Sequence, residues 1–194
     1  MIKFRNSVAL LVVLFSISYV SFGQGAPAPA FGVKGGFNVS NVAGDADNSA
    51  KFSGHVGLYS EVYFDTFLMS QVEVLFAWIG HGGDPSLNLA YVQFPLLLRY
   101  NWDYNFNVHL GIQPAVLMSA KSKSKSADTK TDVKSEFTGF DFGLPVGIGW
   151  DFAERKYNLT ARYIFGLNNI SNFSGTRRNN VLEVSLGIKL HQGI

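Results

Sequence analysis

The chain has 194 residues, 16 Lys and Arg against 14 Asp and Glu, no cysteine, and an aromatic-rich composition of which only 15% is charged. The missing thiols exclude a cysteine metal site, a disulfide framework and a lipidated cysteine. Near-balanced charge and the lack of any nucleic-acid-binding motif set that class of partner aside, and the length is one domain's worth.

The chain opens with Lys3 and Arg5, an apolar stretch over residues 8–20, and Ser21-Phe22-Gly23 before Gln24. That order is the one a secretory signal requires. The apolar stretch is also shorter than the ~20 residues of a spanning helix. The expected organisation is therefore a signal peptide over 1–23, a short linker over 24–30, a body over 31–190 and a tail over 191–194. Loss of the signal removes two basic residues, so fourteen then face fourteen acidic ones.

From Phe31 onward apolar residues recur with period two, in runs close to the 9–11 residues that cross a bilayer as a tilted strand. The first run, 31–41, sets Phe31, Val33, Phe37 and Val39 against Lys34, Asn38 and Ser40. The second, 52–64, sets Val56, Leu58, Val62 and Phe64 against His55, Tyr59 and Glu61, and the third, 68–79, sets Val72, Val74, Phe76 and Trp78 against Gln71 and Glu73. The fourth, 89–100, sets Val92, Phe94, Leu96 and Leu98 against Gln93 and Arg99; the fifth, 106–117, sets Val108, Leu110, Ile112 and Val116 against Asn107, His109 and Gln113. The sixth, 138–150, carries six apolar residues opposite Asp141 and a set of glycines with one proline. The seventh, 157–167, sets Leu159, Ala161, Tyr163 and Phe165 against Asn158, Thr160 and Arg162, and the eighth, 181–190, opposes five aliphatic residues to Glu183, Ser185 and Lys189.

The connections after runs two, four and six are short, and those after one, three, five and seven are longer and polar, as in barrels with short periplasmic turns and long outer loops. Every strand charge falls on the polar face: Lys34, Glu61, Glu73, Arg99, Asp141, Arg162, Glu183 and Lys189. A water-soluble barrel would put its charges on the opposite face from its core. Aromatic residues Phe31, Phe64, Tyr100, Trp102, Phe106, Trp150 and Tyr157 cluster at one end of the runs, where an interfacial girdle belongs. The pattern predicts an all-β, eight-stranded antiparallel up-and-down transmembrane β-barrel, apolar outside and polar inside. Such a bore is just wide enough for its own side chains to fill. The eight inward charges then predict a closed, salt-bridged interior, with Lys34 beside Glu61, Glu73 beside Arg99, Arg162 beside Asp141 or Glu183, and Lys189 near the first pair.

The segments Gly32-Val33-Lys34-Gly35-Gly36-Phe37-Asn38, Tyr91-Val92-Gln93-Phe94-Pro95-Leu96-Leu97-Leu98-Arg99-Tyr100 and Gly139-Phe140-Asp141-Phe142-Gly143-Leu144, with the ending 180–190, resemble the PorT-like outer-membrane β-barrel family of Bacteroidetes. The resemblance covers nearly the whole mature chain. It implies a small barrel of the cell outer membrane and, for one type of member, a role in protein secretion and gliding. The ending His191-Gln192-Gly193-Ile194 departs from the aromatic terminus usual in barrel-assembly recognition.

Candidate chemistry is sparse. His55 and His109 fall on the inward face of non-adjacent strands with no carboxylate or cysteine at ligand spacing, so interior packing is the expected role and no metal or cofactor is. His81-Gly82-Gly83-Asp84 offers a His and an Asp at the outer rim, the place where outer-membrane proteases and lipid A-modifying barrels keep such residues, but Gly-Gly-Asp-Pro is equally ordinary turn chemistry. The glycines near Val33 and Gly147 precede no helix and form no phosphate loop. Lys121-Ser122-Lys123-Ser124-Lys125-Ser126 is expected in the longest loop as a solvated tract that could meet lipopolysaccharide phosphates. The expected partners are outer-membrane lipid, lipopolysaccharide, the barrel-assembly machinery and envelope or secretion proteins; no catalytic residue is expected.

Overall fold

A computed structural model describes residues 29–44, 49–103, 105–124, 130–172 and 175–191. The expected signal peptide, most of the linker and residues 192–194 of the tail lie outside them. The strands are β1 (Ala30–Ala43), β2 (Lys51–Tyr63), β3 (Leu68–His81), β4 (Ser86–Gln93), β5 (Leu96–Asp103), β6 (Phe106–Lys123), β7 (Lys130–Asp132), β8 (Phe140–Phe152), β9 (Tyr157–Gly166) and β10 (Arg178–His191). One 3-10 turn, Lys134–Glu136, is the sole helical element among the described residues.

Ten strands make eight staves. β4 and β5 are two halves of one crossing, both paired to β3 on one side and to β6 on the other. Pro95 separates them because it has no N–H to give a ladder. The crossing holds across the gap: the Phe94 amide donates to the Pro114 carbonyl at 2.8 Å, and the Pro95 carbonyl accepts from the Glu73 amide at 2.9 Å. β7 is a short spur on the end of β6. The remaining pairings are all antiparallel, and β1 meets both β2 and β10 while β2 meets β3, so the sheet closes on itself. Closure leaves no open edge along the eight staves.

Alternation then sorts the side chains into bore and outer surface. Each inward charge is buried, and large apolar residues of all eight staves are exposed on the outside. A close approach inside the bore requires glycine at 147, where a Cβ would lie 2.7 Å from that of Arg162 and 2.5 Å from His109 Nε2.

The turn end of the barrel carries tight connections. In the turn between β8 and β9, Ala153, Glu154 and Arg155 all adopt left-handed φ values, 50°, 56° and 63°. Non-glycine residues meet a cost of roughly 1–2 kcal/mol each there. The turn places the Arg155 guanidinium over the Tyr63 ring, 5.4 Å from its centroid, and its Nε 3.9 Å from Asp151.

The loop end departs from expectation in two places. The connection after the third run is a hairpin rather than a long loop, because β3 and β4 go on pairing through Gly80↔Asn88 and His81↔Leu87. Lys121 and Lys123 are likewise strand, not loop: β6 continues to Lys123 with β4 on one side and β7 on the other. Both extensions rest on backbone pairing, which polar side chains neither signal nor prevent.

Candidate functional site

The bore has two levels of different chemistry. At the turn end the charged side chains form one connected network. Glu73 accepts from Lys34 Nζ at 2.8 Å and from Arg162 through both terminal nitrogens, at 2.8 and 3.1 Å. Gln71 donates to Glu73 and accepts from Arg99, which also donates to Glu61 at 3.0 Å and to Asp151. Lys189 and the Tyr63 hydroxyl both donate to Glu61. Glu183 lies 3.8 Å from Arg162 Nε. Four cations thus face Glu61, Glu73, Glu183 and Asp151. Burying such groups is tolerable only when they are paired and hydrogen-bonded. Arg162 is 1% exposed and Arg99 2%.

Two expected pairs differ, for one reason, while Arg162 keeps Glu183, one of its two expected partners. The strand register places Glu61 level with Ala30, four residues below Lys34, which itself faces Gly57 on β2 and Gly187 on β10. Lys34 therefore reaches past Gly57 to Glu73 on β3. Arg99 is level with Met69 rather than Glu73, and takes Glu61 and Asp151. Arg162 is level with Gly147, six residues from Asp141, and takes Glu73 and Glu183. Asp151 follows the sixth run, where the pattern predicts a short turn, yet it is the last inward residue of β8, continuing the period-two series from Asp141.

At the loop end the bore is apolar, which the polar reading of the inward face did not anticipate. Val42, Ile79, Leu87, Leu89, Tyr91 and Leu117 meet in a buried cluster with Ile164 and Val181. Val133, Phe137 and Ile170 join it from the connections above. These segments are tied together: Thr138 N–H donates to Ile170 at 2.8 Å and Asn172 N–H to Glu136 at 2.9 Å. Asp141 sits at this level, held by Asn179 Nδ2 at 2.6 Å and the Phe142 amide at 2.8 Å, with no cation in ion-pair reach among the described residues.

One histidine set has the form of a nucleophile relay. His55 Nδ1 is 2.6 Å from Asn38 Oδ1 and its Nε2 is 2.8 Å from Ser185 Oγ, so with Nδ1 protonated the ring can accept the serine proton. The set is sealed between β1, β2 and β10, and Ser185 is 1% exposed. A substrate has no way to it. His109 faces Asn107 at 3.3 Å, and His81, buried at the end of β3, donates to the Gly82 carbonyl at 2.6 Å.

On the outside, the aromatic residues read at the turn end are connected by ring contacts: Phe67 with Tyr100, Phe106 with Trp150, Trp150 with Phe152 and Phe152 with Tyr157. Phe64 and Trp102 stand exposed beside them, and Phe31 and Tyr157 are half-buried. A second set near the loop end was not singled out by the sequence: Phe37 with Phe52, Phe76 with Trp78, Phe140 with Phe142, and Tyr163 with Phe165. The same alternating runs, followed to their other ends, carry that signal. Phe140 and Trp150 lie ten residues apart on β8. At ~3.3 Å per residue and a tilt of about 40°, that separation is about 25 Å, the height of a barrel's apolar band.

Residues 22–172 match the family described as outer membrane protein beta-barrel domain. No curated protein matches the sequence. Among solved structures, Neisserial surface protein A is similar at a TM-score of 0.56 and 12% identity, covering 84% of this chain and 99% of its own. Ail, the attachment invasion locus protein of Yersinia pestis, is similar at 0.50 and 12% identity, covering 83% and 98%. The complex of Ail with the heparin analogue sucrose octasulfate gives 0.53 and 12%, covering 84% and 99%. At such identities the likeness is one of fold.

Proposed function

The chain belongs to the outer membrane protein β-barrel domain family and lies in the outer membrane, and on that premise we propose that it is a non-enzymatic barrel whose bore is closed to solutes and which acts through its outer surface. The observation that carries this reading is the filling of the bore at both levels, by an ion-paired network at the turn end and an apolar plug at the loop end. An eight-stave bore has no width to spare beyond that. The enclosure of Ser185 and His55 supports the non-enzymatic part. Export by the signal at 1–23, the two aromatic girdles as interface anchors, and the PorT-like affiliation carried by the quoted segments belong to the same proposal.

The test is electrical and biochemical. Folded protein in planar bilayers is expected to show no porin-sized conductance, and in cells to fractionate with outer membranes and migrate faster unheated than boiled. A stable water-filled conductance would overturn the closed bore, and recovery of folded protein from the soluble periplasm would overturn the placement.

A further inference from the structure

Above Met118, the last apolar outward residue of β6, the outer wall changes from apolar to basic within three residues. Backbone register stacks the change row by row. Trp78, Ala90 and Ser119 share one row of β3, β4 and β6, and the row two residues further from the apolar belt is Gly80, Asn88, Lys121 and Asp132. The next holds Ser86, Lys123 and Lys130. Lys121 and Lys130 are exposed. Lys134 adds a fourth ammonium from the 3-10 turn and reaches the same place, donating to the Met118 carbonyl at 2.9 Å, which occupies one of its three donors. Four lysines against Asp132 and Glu136 leave this wall net positive, with Lys121, Lys123 and Lys130 fixed on paired backbone rather than on a free loop.

We infer that this wall, Lys121, Lys123, Lys130 and Lys134, is a docking surface for the phosphate groups of the outer-leaflet lipid, lipopolysaccharide. The inference rests on the reading of the barrel as an outer-membrane protein acting through its outer surface. The occupant follows from height. An indole at the rim of an apolar belt marks the membrane interface, so cations one row above Trp78 stand where lipid phosphates are and where a soluble polyanion would first have to pass. Phosphate is also the anion whose oxygens several ammonium groups can share. Basic residues close to an anionic surface contribute roughly fivefold each in affinity, reduced by salt.

The experiment uses the full chain folded in phosphatidylcholine vesicles doped with dansyl-labelled lipid A, either bearing both phosphates or dephosphorylated, with energy transfer from tryptophan reporting enrichment around the barrel. The wild type is expected to enrich the phosphorylated lipid at least about tenfold over the other, with 0.5 M salt reducing the difference, roughly fivefold being lost per lysine removed. The variant K121Q/K130Q/K134Q should lose the preference, Lys156→Gln at the opposite mouth should keep it, and Asp132→Lys should raise it, so the inference stays testable if the triple variant does not fold. Equal enrichment of the two lipids, an unchanged triple variant, or loss of the preference in a few millimolar inorganic phosphate would each overturn the lipid assignment. Conductance measured on the same samples separates the two proposals, since a conducting but selective barrel sinks only the closed bore and a closed but unselective one only the docking wall.

Discussion

The two levels of the bore are filled by opposite means. At the turn end Lys34, Glu61, Glu73, Arg99, Asp151, Arg162, Glu183 and Lys189 neutralise one another across seven staves; at the loop end Leu87, Leu89, Tyr91 and their neighbours exclude water with no charge but Asp141. The difference is one of tolerance. An ion-paired level works only if every partner is present, because removing one strands another in a dry interior. An apolar level degrades by increments of volume.

The strongest way to break this comparison is Arg162→Met, which strands Glu183 and leaves Glu73 with Lys34 and Gln71 alone. It is expected to cost about 3–5 kcal/mol of unfolding free energy in lipid vesicles; a loss under about 1 kcal/mol would mean the turn end is not held by charge. Leu89→Ala is the matching lesion in the apolar level. It should cost about 3 kcal/mol by urea titration in the same vesicles, and a negligible cost would show the plug to be loosely packed. Outside the bore, Leu96→Arg places a charge on the lipid face beside Val72 and Ile112, with an expected cost of about 2 kcal/mol or more at mid-membrane. Equal stability of this variant and the wild type would mean the outward surface is not in lipid. The smallest effect sharpens the boundary between the levels: Asp141→Asn keeps its one oxygen for Asn179, leaves the Phe142 amide the Asn168 oxygen it already meets at 2.7 Å, and has no cation to abandon, so the change should stay within about 1 kcal/mol. A loss as large as that of Arg162→Met would place Asp141 in the charged network after all.

The sequence carried the staves well because their signal is local. A period of two over ten residues is written in neighbouring side chains, and the eight inward charges and the girdle at the turn end follow from parity alone. Asp151 lies one residue past the end of the sixth alternating run, where polar residues fit turn and strand equally, and the loop-end aromatics lie at the opposite ends of the same runs. The hairpin through residues 82–85 and the strand at Lys121 and Lys123 were a different matter. Polar residues there are compatible with loop or with strand, and pairing between distant segments chose the strand.

What the sequence determined by itself is which side chains face inward and which face outward, because a pleated strand has two faces and side chains alternate between them whatever the strand pairs with. Who meets whom inside was decided by the tertiary structure. Lys34 joins Glu73 instead of Glu61, and Arg99 joins Glu61 and Asp151, because closing the barrel fixes a stagger between staves, and a shift of four residues along a strand moves a partner by about 13 Å, well beyond the reach of an ion pair.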